Sequence, residues 1–358
     1  MKKKKVYLTL QNGKVFEGYR FGANGETSGE LVFNTGMVGY LKTLTDPAYY
    51  GQIVVQTFPM IGNYGVIESE FESDKTHLSA YIVREYCEEP SNFRSEGKLN
   101  AFLEKAGVIG IYGVDTRELT RILREEGVMN AAITDKPLPS LDLLDKYEVN
   151  GAVEAVALKD KKVYENANAK YTVALWDFGG KNGTVDELIA NGFQVIRVPA
   201  FTSADEILSL GVDGVVLGEG PGDPAKNVQI VEEIKKLLGK KPVFAFGLGH
   251  QLVALAKGAK TQKMKYGHRG GNQPVKCAQN GRVYISSQNH GYVVVSETVK
   301  NGTVDFVNVN DGSCEGITYE DGKTFSVQFS PASCSAACEP NHLYEKFIAM
   351  IEKENDNA

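Results

Sequence analysis

Residues 171–258 alternate between short apolar runs and amphipathic segments, and this alternation limits the fold more than any other feature of the chain. The apolar runs predict strands at 172–176, 194–198, 214–217 and 242–246. The amphipathic segments predict helices at 185–191, 204–210, 228–238 and 251–257, followed by Gly192, Gly211, Gly239 and Gly258. Glycine is favoured just after a helix because it adopts the left-handed backbone conformation at little steric cost. Strands that alternate with helices pair in parallel, so the pattern predicts an α/β fold with a doubly wound sheet.

The first half of the chain has a different pattern, and 358 residues suffice for about two domains. Short apolar runs there are interrupted by Gly, Asn and Pro, and Gln11-Asn12-Gly13 is typical of a β-hairpin turn. Helices are predicted at 99–106 and 116–126, the second capped by Asp115 or Thr116. We therefore predict a mixed α+β domain at 1–150, a linker at 151–170 that follows a short helix near 141–147, and the doubly wound domain at 171–358.

Composition excludes some classes of protein. The net charge of −6 argues against a dedicated nucleic-acid or membrane-surface binder. No run of 18 apolar residues occurs, and the apolar stretch near the start is too short for a signal peptide. Five scattered cysteines, an odd number, fit a reducing compartment, and no Cys/His spacing matches a metal site. We predict a cytoplasmic protein with no nucleic-acid or membrane partner and no metal in this chain.

Three loops are candidates for the site, because ligands of open α/β sheets bind beyond the carboxyl ends of the strands. Residues 218–224 form a Gly- and Pro-rich loop whose amides can approach a ligand, although a simple tight turn explains them equally well. Residues 246–251 have the strand–turn–helix layout of a nucleophile elbow, but glycine stands at its tip, Gly247. Residues 287–292 are polar and include His290, which a structural role explains better than a catalytic one.

Motifs along nearly the whole chain resemble one family, the small, glutamine-amidotransferase subunits of carbamoyl-phosphate synthase. The loops Gly220-Pro221-Gly222-Asp223-Pro224 and Leu248-Gly249-His250-Gln251 are similar to those of class I amidotransferases in general. Other segments resemble the small subunits in particular, namely residues 33–40, 61–65, 91–94, 115–117, 267–272 and 288–291. The resemblance implies an N-terminal domain that contacts a large subunit, followed by a class I amidotransferase domain.

The resemblance also implies a chemistry. In the family, a cysteine at the elbow attacks the amide of glutamine and forms a glutamyl thioester, and a histidine oriented by a glutamate moves the protons. Backbone amides of the Gly-rich loop and of the residue after the nucleophile form the oxyanion hole. The large subunit then combines the ammonia with bicarbonate and ATP, so we expect ATP and metal on that subunit and no cofactor in this chain.

This chain departs from the family at every position of the triad. The nucleophile position is Gly247, the histidine position is Ser330 and the glutamate position is Ala332. A serine that family members use near the substrate is replaced by Ala48, and the usual Asn before Gly220 is Glu219. Without a side chain at 247 no covalent intermediate can form there, and Ser330 cannot act as a base near neutral pH.

The positions that the resemblance assigns to glutamine binding are mostly unchanged. Besides Ala48 they are Gly220, Gly222, Leu248, Gln251, Asn289, Gly291 and Tyr292, and Tyr292 replaces a usual Phe. Weak binding of glutamine without cleavage and a purely structural role for these residues explain them equally well.

We predict a heteromeric pseudoenzyme: a small subunit that lacks glutaminase activity and serves as structural or regulatory partner of an ammonia-using large subunit, in arginine or pyrimidine biosynthesis. One alternative is an active glutaminase with a rearranged site that uses Cys334 or Cys338. A second alternative is a module that senses glutamine. The sequence leaves open whether the ammonia path is open and which of the two pathways is served.

Overall fold

Two units make up the chain, Met1–Ala152 and Val153–Ala358. The computed structural model describes residues 4–331 and 341–356. Each unit has its own buried apolar core. Among the helices of these described ranges, none combines the length and the apolar composition that crossing a lipid bilayer requires.

The first unit is built on a barrel of both parallel and antiparallel strand pairs. In the described residues the barrel closes in the order β1-β2-β8-β6-β4-β3-β9, and β5 pairs with β7 apart from it. The strands are β1 Lys5–Leu10, β2 Val15–Gly22, β3 Thr27–Asn34, β4 Gln52–Gln56, β5 Met60–Ile61, β6 Ala80–Val83, β7 Glu85–Tyr86, β8 Ile109–Tyr112 and β9 Met129–Thr134. The helices are α1 Tyr40–Thr45, α2 Leu99–Ala106, α3 Thr116–Glu126 and α4 Asp142–Asp145, with 3-10 turns at Pro47–Tyr49 and Glu68–Glu70.

Local signals of the first unit are confirmed where they were strong. The turn at Gln11-Asn12-Gly13 joins β1 to β2, and Gly13 has a φ of 85°. Asp115 caps α3 by accepting a hydrogen bond from the Glu118 backbone N–H at 3.0 Å. The closure of the barrel, in contrast, has no local sequence signal, because it depends on pairing between strands far apart in the chain.

The second unit contains a ten-stranded sheet in the order β10-β12-β11-β13-β14-β19-β18-β17-β15-β16. The strands are β10 Lys162–Tyr164, β11 Tyr171–Trp176, β12 Phe193–Val198, β13 Gly214–Leu217, β14 Val243–Phe246, β15 Thr261–Cys277, β16 Val283–Val294, β17 Gly302–Asn308, β18 Cys314–Tyr319 and β19 Thr324–Val327. The helices are α5 Ala152–Val156, α6 Asn182–Ala190, α7 Ala204–Ser209, α8 Val228–Leu237, α9 Leu248–Ala256 and α10 Asn341–Asp356, with 3-10 turns at Pro224–Lys226 and Ser296–Thr298. Strands β12, β11, β13, β14 and β19 pair in parallel, which confirms the predicted α/β class.

Apolar cores cover both faces of the parallel strands. Side chains that alternate along a strand reach different cores: Trp176 and Val215 belong to one, and Leu175 and Val216 belong to the other. Burial on both faces explains why these strands read as continuous apolar runs. The four glycines predicted at helix exits lie two residues past the helix ends with φ between 68° and 85°, namely Gly192, Gly211, Gly239 and Gly258.

Some element bounds differ from those predicted. Helix α9 begins at Leu248 rather than at 251, directly after the turn at Gly247. The antiparallel strands β15 and β16 are long, and their pairing contains register shifts. Within 151–170, the stretch predicted as a linker, the structure has α5 and β10, and β10 pairs antiparallel with β12.

Candidate functional site

The turn between β14 and α9 has the backbone geometry of a nucleophile elbow. Gly247 has φ 57° and ψ −123°, a combination that residues other than glycine adopt only under strain. Its N–H donates to the Val327 carbonyl of β19 at 3.1 Å, which ties the elbow to the neighbouring strand. The tip that would carry a reactive side chain therefore keeps its shape and carries none.

The Gly-rich loop after β13 packs directly against this elbow. A Cβ on Gly220 would lie 2.5 Å from the Phe178 carbonyl oxygen and 2.8 Å from Leu248 Cδ2, so only glycine fits there. The Gly249 N–H donates to the Gly218 carbonyl at 3.0 Å. The loops after β11, β13 and β14 thus meet at the carboxyl edge of the parallel strands, where the fold class predicts the ligand site.

A buried ion pair lies at the same edge. Lys181 Nζ, at the start of α6, is 3.1 Å from Glu219 Oε2 in the Gly-rich loop. The two side chains are only 15% and 11% exposed. Sequence analysis noted that Glu219 replaces a usual Asn but missed Lys181, although the position of Lys181 just after a predicted parallel strand was a usable signal.

Part of the predicted glutamine-binding set comes together around α9. Gln251 donates from Nε2 to the Tyr292 carbonyl and to Gln328 Oε1, both at 2.8 Å. Asn289 and Gly291 lie with Tyr292 on β16. Gly220 and Leu248 are close neighbours at the elbow, since a Cβ on Gly220 would lie 2.8 Å from Leu248 Cδ2. Gly222 has a φ of 89° in the same loop as Gly220. The Gln251 bonds join α9 to β16 and to the end of β19.

The remaining positions of the predicted site are placed separately. Ser330 is buried just past β19, and its N–H donates to the Ser287 carbonyl at 3.3 Å. Ala48 belongs to the first unit, where its N–H donates to Asp46 Oδ1 at 2.9 Å. Ala332, Cys334 and Cys338 lie outside the described residues. The catalytic assignments for Ser330 and Ala332 stay predictions.

His250 is buried on the inner side of α9. Its Nδ1 is 2.8 Å from Ser326 Oγ, and burial lowers its pKa to about 3. The ring is therefore neutral near pH 7 and cannot serve as a readily protonated acid–base group.

A polar network fills the antiparallel half of the sheet. Gln288 lies at its centre: Oε1 is 3.1 Å from His268 Nδ1 and 2.8 Å from His290 Nε2, and Nε2 donates to Glu315 at 2.9 Å. His268 Nε2 lies 2.9 Å from Asp311 Oδ2, and His290 Nδ1 lies 2.8 Å from the Tyr292 carbonyl oxygen. The side-chain atoms of His268, His290 and Glu315 that could bind a metal ion lie within 4.8 Å of one another. Among the described residues this is the one group with such spacing. The Gln288 amide contacts all three side chains. Sequence analysis missed Glu315, because no motif connects it to these histidines.

The charges in this network are set by burial and by contacts between the groups. Burial alone would lower the pKa of His268, but hydrogen bonds to Asp311 and Glu315 outweigh it and raise the pKa to about 9. Burial lowers the pKa of His290 well below its usual range, and the nearby charge of His268 adds to this effect. Burial also raises the pKa of Glu315. His268 is thus a buried cation near neutral pH.

The raised pKa of His268 predicts a pH dependence of stability. The stabilisation of the folded chain by protonated His268 is fully present below the pKa of the unfolded chain, about 6.5. It is lost as the pH rises through the pKa of the folded chain, about 9. Between pH 6.5 and 9 we expect the free energy of unfolding to fall by on the order of 2 kcal/mol, and His268→Gln to remove most of that decline. Urea denaturation at several pH values in this range measures the decline in the wild-type chain and in His268→Gln. The control variant is His342→Gln, because His342 is exposed. An unchanged decline in His268→Gln would contradict the assignment.

Comparisons with known proteins identify relatives along nearly the whole chain. Residues 8–133 match the family model for the CPSase domain of the carbamoyl-phosphate synthase small chain, and residues 174–350 match that for class-I glutamine amidotransferases. Proteins named carbamoyl phosphate synthase small chain are 43% identical in Fusobacterium nucleatum (96% of this chain, 98% of the relative) and 43% identical in Clostridium perfringens (96% and 99%). One from Caldanaerobacter subterraneus is 41% identical (97% and 96%). The chain therefore belongs to the family of carbamoyl-phosphate synthase small chains and carries a class-I glutamine amidotransferase domain.

Proposed function

We propose that this small subunit has no glutaminase activity and acts as a structural or regulatory partner of a large subunit that uses free ammonia. The observation that carries the proposal is Gly247, which stands at the tip of an elbow and has no side chain to attack an amide. The large subunit would supply the sites for ATP and metal.

The remaining catalytic positions support the same proposal. Ser330 has a hydroxyl whose proton cannot be removed near neutral pH, so it cannot replace an imidazole as general base. Members of a catalytic triad act as a unit, and the loss of one removes most of the rate. Gly247 and Ser330 together leave the elbow without nucleophile and without base.

The two described cysteines of the second unit, Cys277 and Cys314, are poor substitutes for the nucleophile. Cys277 and Cys314 are buried, each in an apolar core, and burial raises the pKa of Cys314 to about 12. A buried thiol with a raised pKa is protonated and unreactive near neutral pH. Cys87 belongs to the first unit, where its thiol contacts the Glu89 carbonyl at 3.1 Å.

The test is a paired assay of the purified complex with its large subunit. With glutamine as nitrogen source we expect no release of glutamate above a buffer control. With ammonium, and with ATP and bicarbonate, we expect carbamoyl phosphate to form, which shows that the same preparation is competent. Glutamine-dependent release of glutamate would overturn the proposal.

The alternative of a rearranged glutaminase is tested by labelling. An electrophilic analogue of glutamine would modify the cysteine that acts as nucleophile, and peptide mass spectrometry would locate it. An adduct at Cys334 or Cys338 together with glutamate release would establish this alternative. We expect no adduct at either position.

A further inference from the structure

The side chain of Glu219 occupies the space into which a side chain at position 247 would project. A Cβ on Gly247 would lie 2.9 Å from Glu219 Cγ, 3.3 Å from its Cβ and 3.2 Å from its Cα. The obstruction includes the backbone of the Gly-rich loop as well as the stem of the side chain. Rotating the carboxylate end does not relieve it, because the Cα also lies in the way, so a side chain at 247 requires a small shift of the Gly-rich loop.

Lys181 is the ionic partner of this carboxylate. Its Nζ lies 3.1 Å from Glu219 Oε2, and both side chains are largely buried. Removing either partner of a buried ion pair leaves an uncompensated charge, so the pair resists separation. The pair therefore connects the loop after β11 with the loop after β13, beside the Cβ position of Gly247 at the elbow.

A glutamine bound for hydrolysis would need this same space. Its amide carbon must lie about 3–3.5 Å from the atom at the tip of the elbow. Its carbonyl oxygen must approach the backbone N–H groups that begin α9 and line the Gly-rich loop. A carboxylate beside that position takes up volume and places negative charge next to the oxygen that must be stabilised.

We propose that the Glu219–Lys181 pair closes the reaction end of the pocket, so that Glu219 excludes glutamine from this subunit. Glu219 is then the residue that determines specificity, and the subunit is not a sensor of glutamine. The inference rests on the proposed function, since a subunit that hydrolysed glutamine would have to admit it.

Calorimetric titration of the full chain with glutamine tests the proposal. For the wild-type chain we expect no binding heat up to about 10 mM, a concentration at which a millimolar dissociation constant would be visible. For Glu219→Asn, which is shorter and uncharged, we expect saturable binding at least about tenfold tighter than the wild-type limit. The matched control is Glu232→Asn, which breaks an exposed pair with Lys235 on α8 and should bind no better than wild type.

Each outcome decides the proposal. Saturable binding by the wild-type chain overturns it directly, whether or not any variant folds. Absence of binding by Glu219→Asn overturns it too, provided that thermal unfolding shows a folded variant, and Glu219→Ala is the second variant if it does not. Release of glutamate is measured in the same samples, and release by the wild-type chain would defeat the proposed function separately from the binding result.

Discussion

Glutaminase activity is expected to return only when four positions are changed together. The variant Gly247→Cys/Ser330→His/Ala332→Glu replaces the three triad positions, and Glu219→Asn removes the carboxylate that we propose excludes glutamine. We expect the fourfold variant to release glutamate at least about 100-fold above background, because a positioned general base alone contributes about 10²–10⁴-fold. The assay is glutamate release by the purified chain with its large subunit.

The matched comparison omits only Glu219→Asn. The sequence by itself predicts that the three triad changes restore some activity and that Gly247→Cys alone is inactive. The structure adds the Glu219 carboxylate, paired with Lys181 in the loop beside the elbow, and if it excludes glutamine as we propose, the triple variant stays near background. Equal activity of the triple and fourfold variants would show that the Glu219 carboxylate does not exclude glutamine. An inactive fourfold variant would contradict the assignment of the triad positions.

Replacing Gly249 by alanine is expected to be the most destabilising single change near the site. A Cβ there would lie 2.4 Å from the Leu217 carbonyl oxygen and 2.7 Å from its carbonyl carbon. These are backbone atoms of β13, so relief requires α9 to move away from the strand. We expect a loss of about 3 kcal/mol in the free energy of unfolding, at the upper end of the usual effect of overpacking.

Gly271→Ala is the control for this prediction. Gly271 lies on β15, and an added Cβ would meet no atom within 4 Å. We expect its effect to stay within about 0.5 kcal/mol, as for surface changes without a specific mechanism. Denaturant unfolding of both variants measures the difference. A similar small effect at Gly249 would mean that α9 and β13 are packed more loosely than these distances indicate.

Local signals predicted those parts of the fold that depend on nearby residues. The Asp115 cap and the glycines after the helices of the second unit were predicted because each acts within one turn of the backbone. The start of α9 was predicted three residues late, because Gly249 in its first turn weakens a helical pattern. The closed barrel and the long β15–β16 pair depend on contacts between distant strands, and no local pattern specifies those.

By itself the sequence determined the fold class, the family resemblance and the glycine at position 247, because each of these depends on residue types and their spacing along the chain. Only the tertiary structure decided what stands at the elbow instead. Lys181 and Glu219 follow two different strands, and they meet because β11 and β13 are parallel neighbours whose carboxyl ends share one edge of the sheet. The contact of Glu219 with Gly247 arises in the same way, since β13 also pairs with β14. Such contacts are set by strand order, which residue spacing does not reveal.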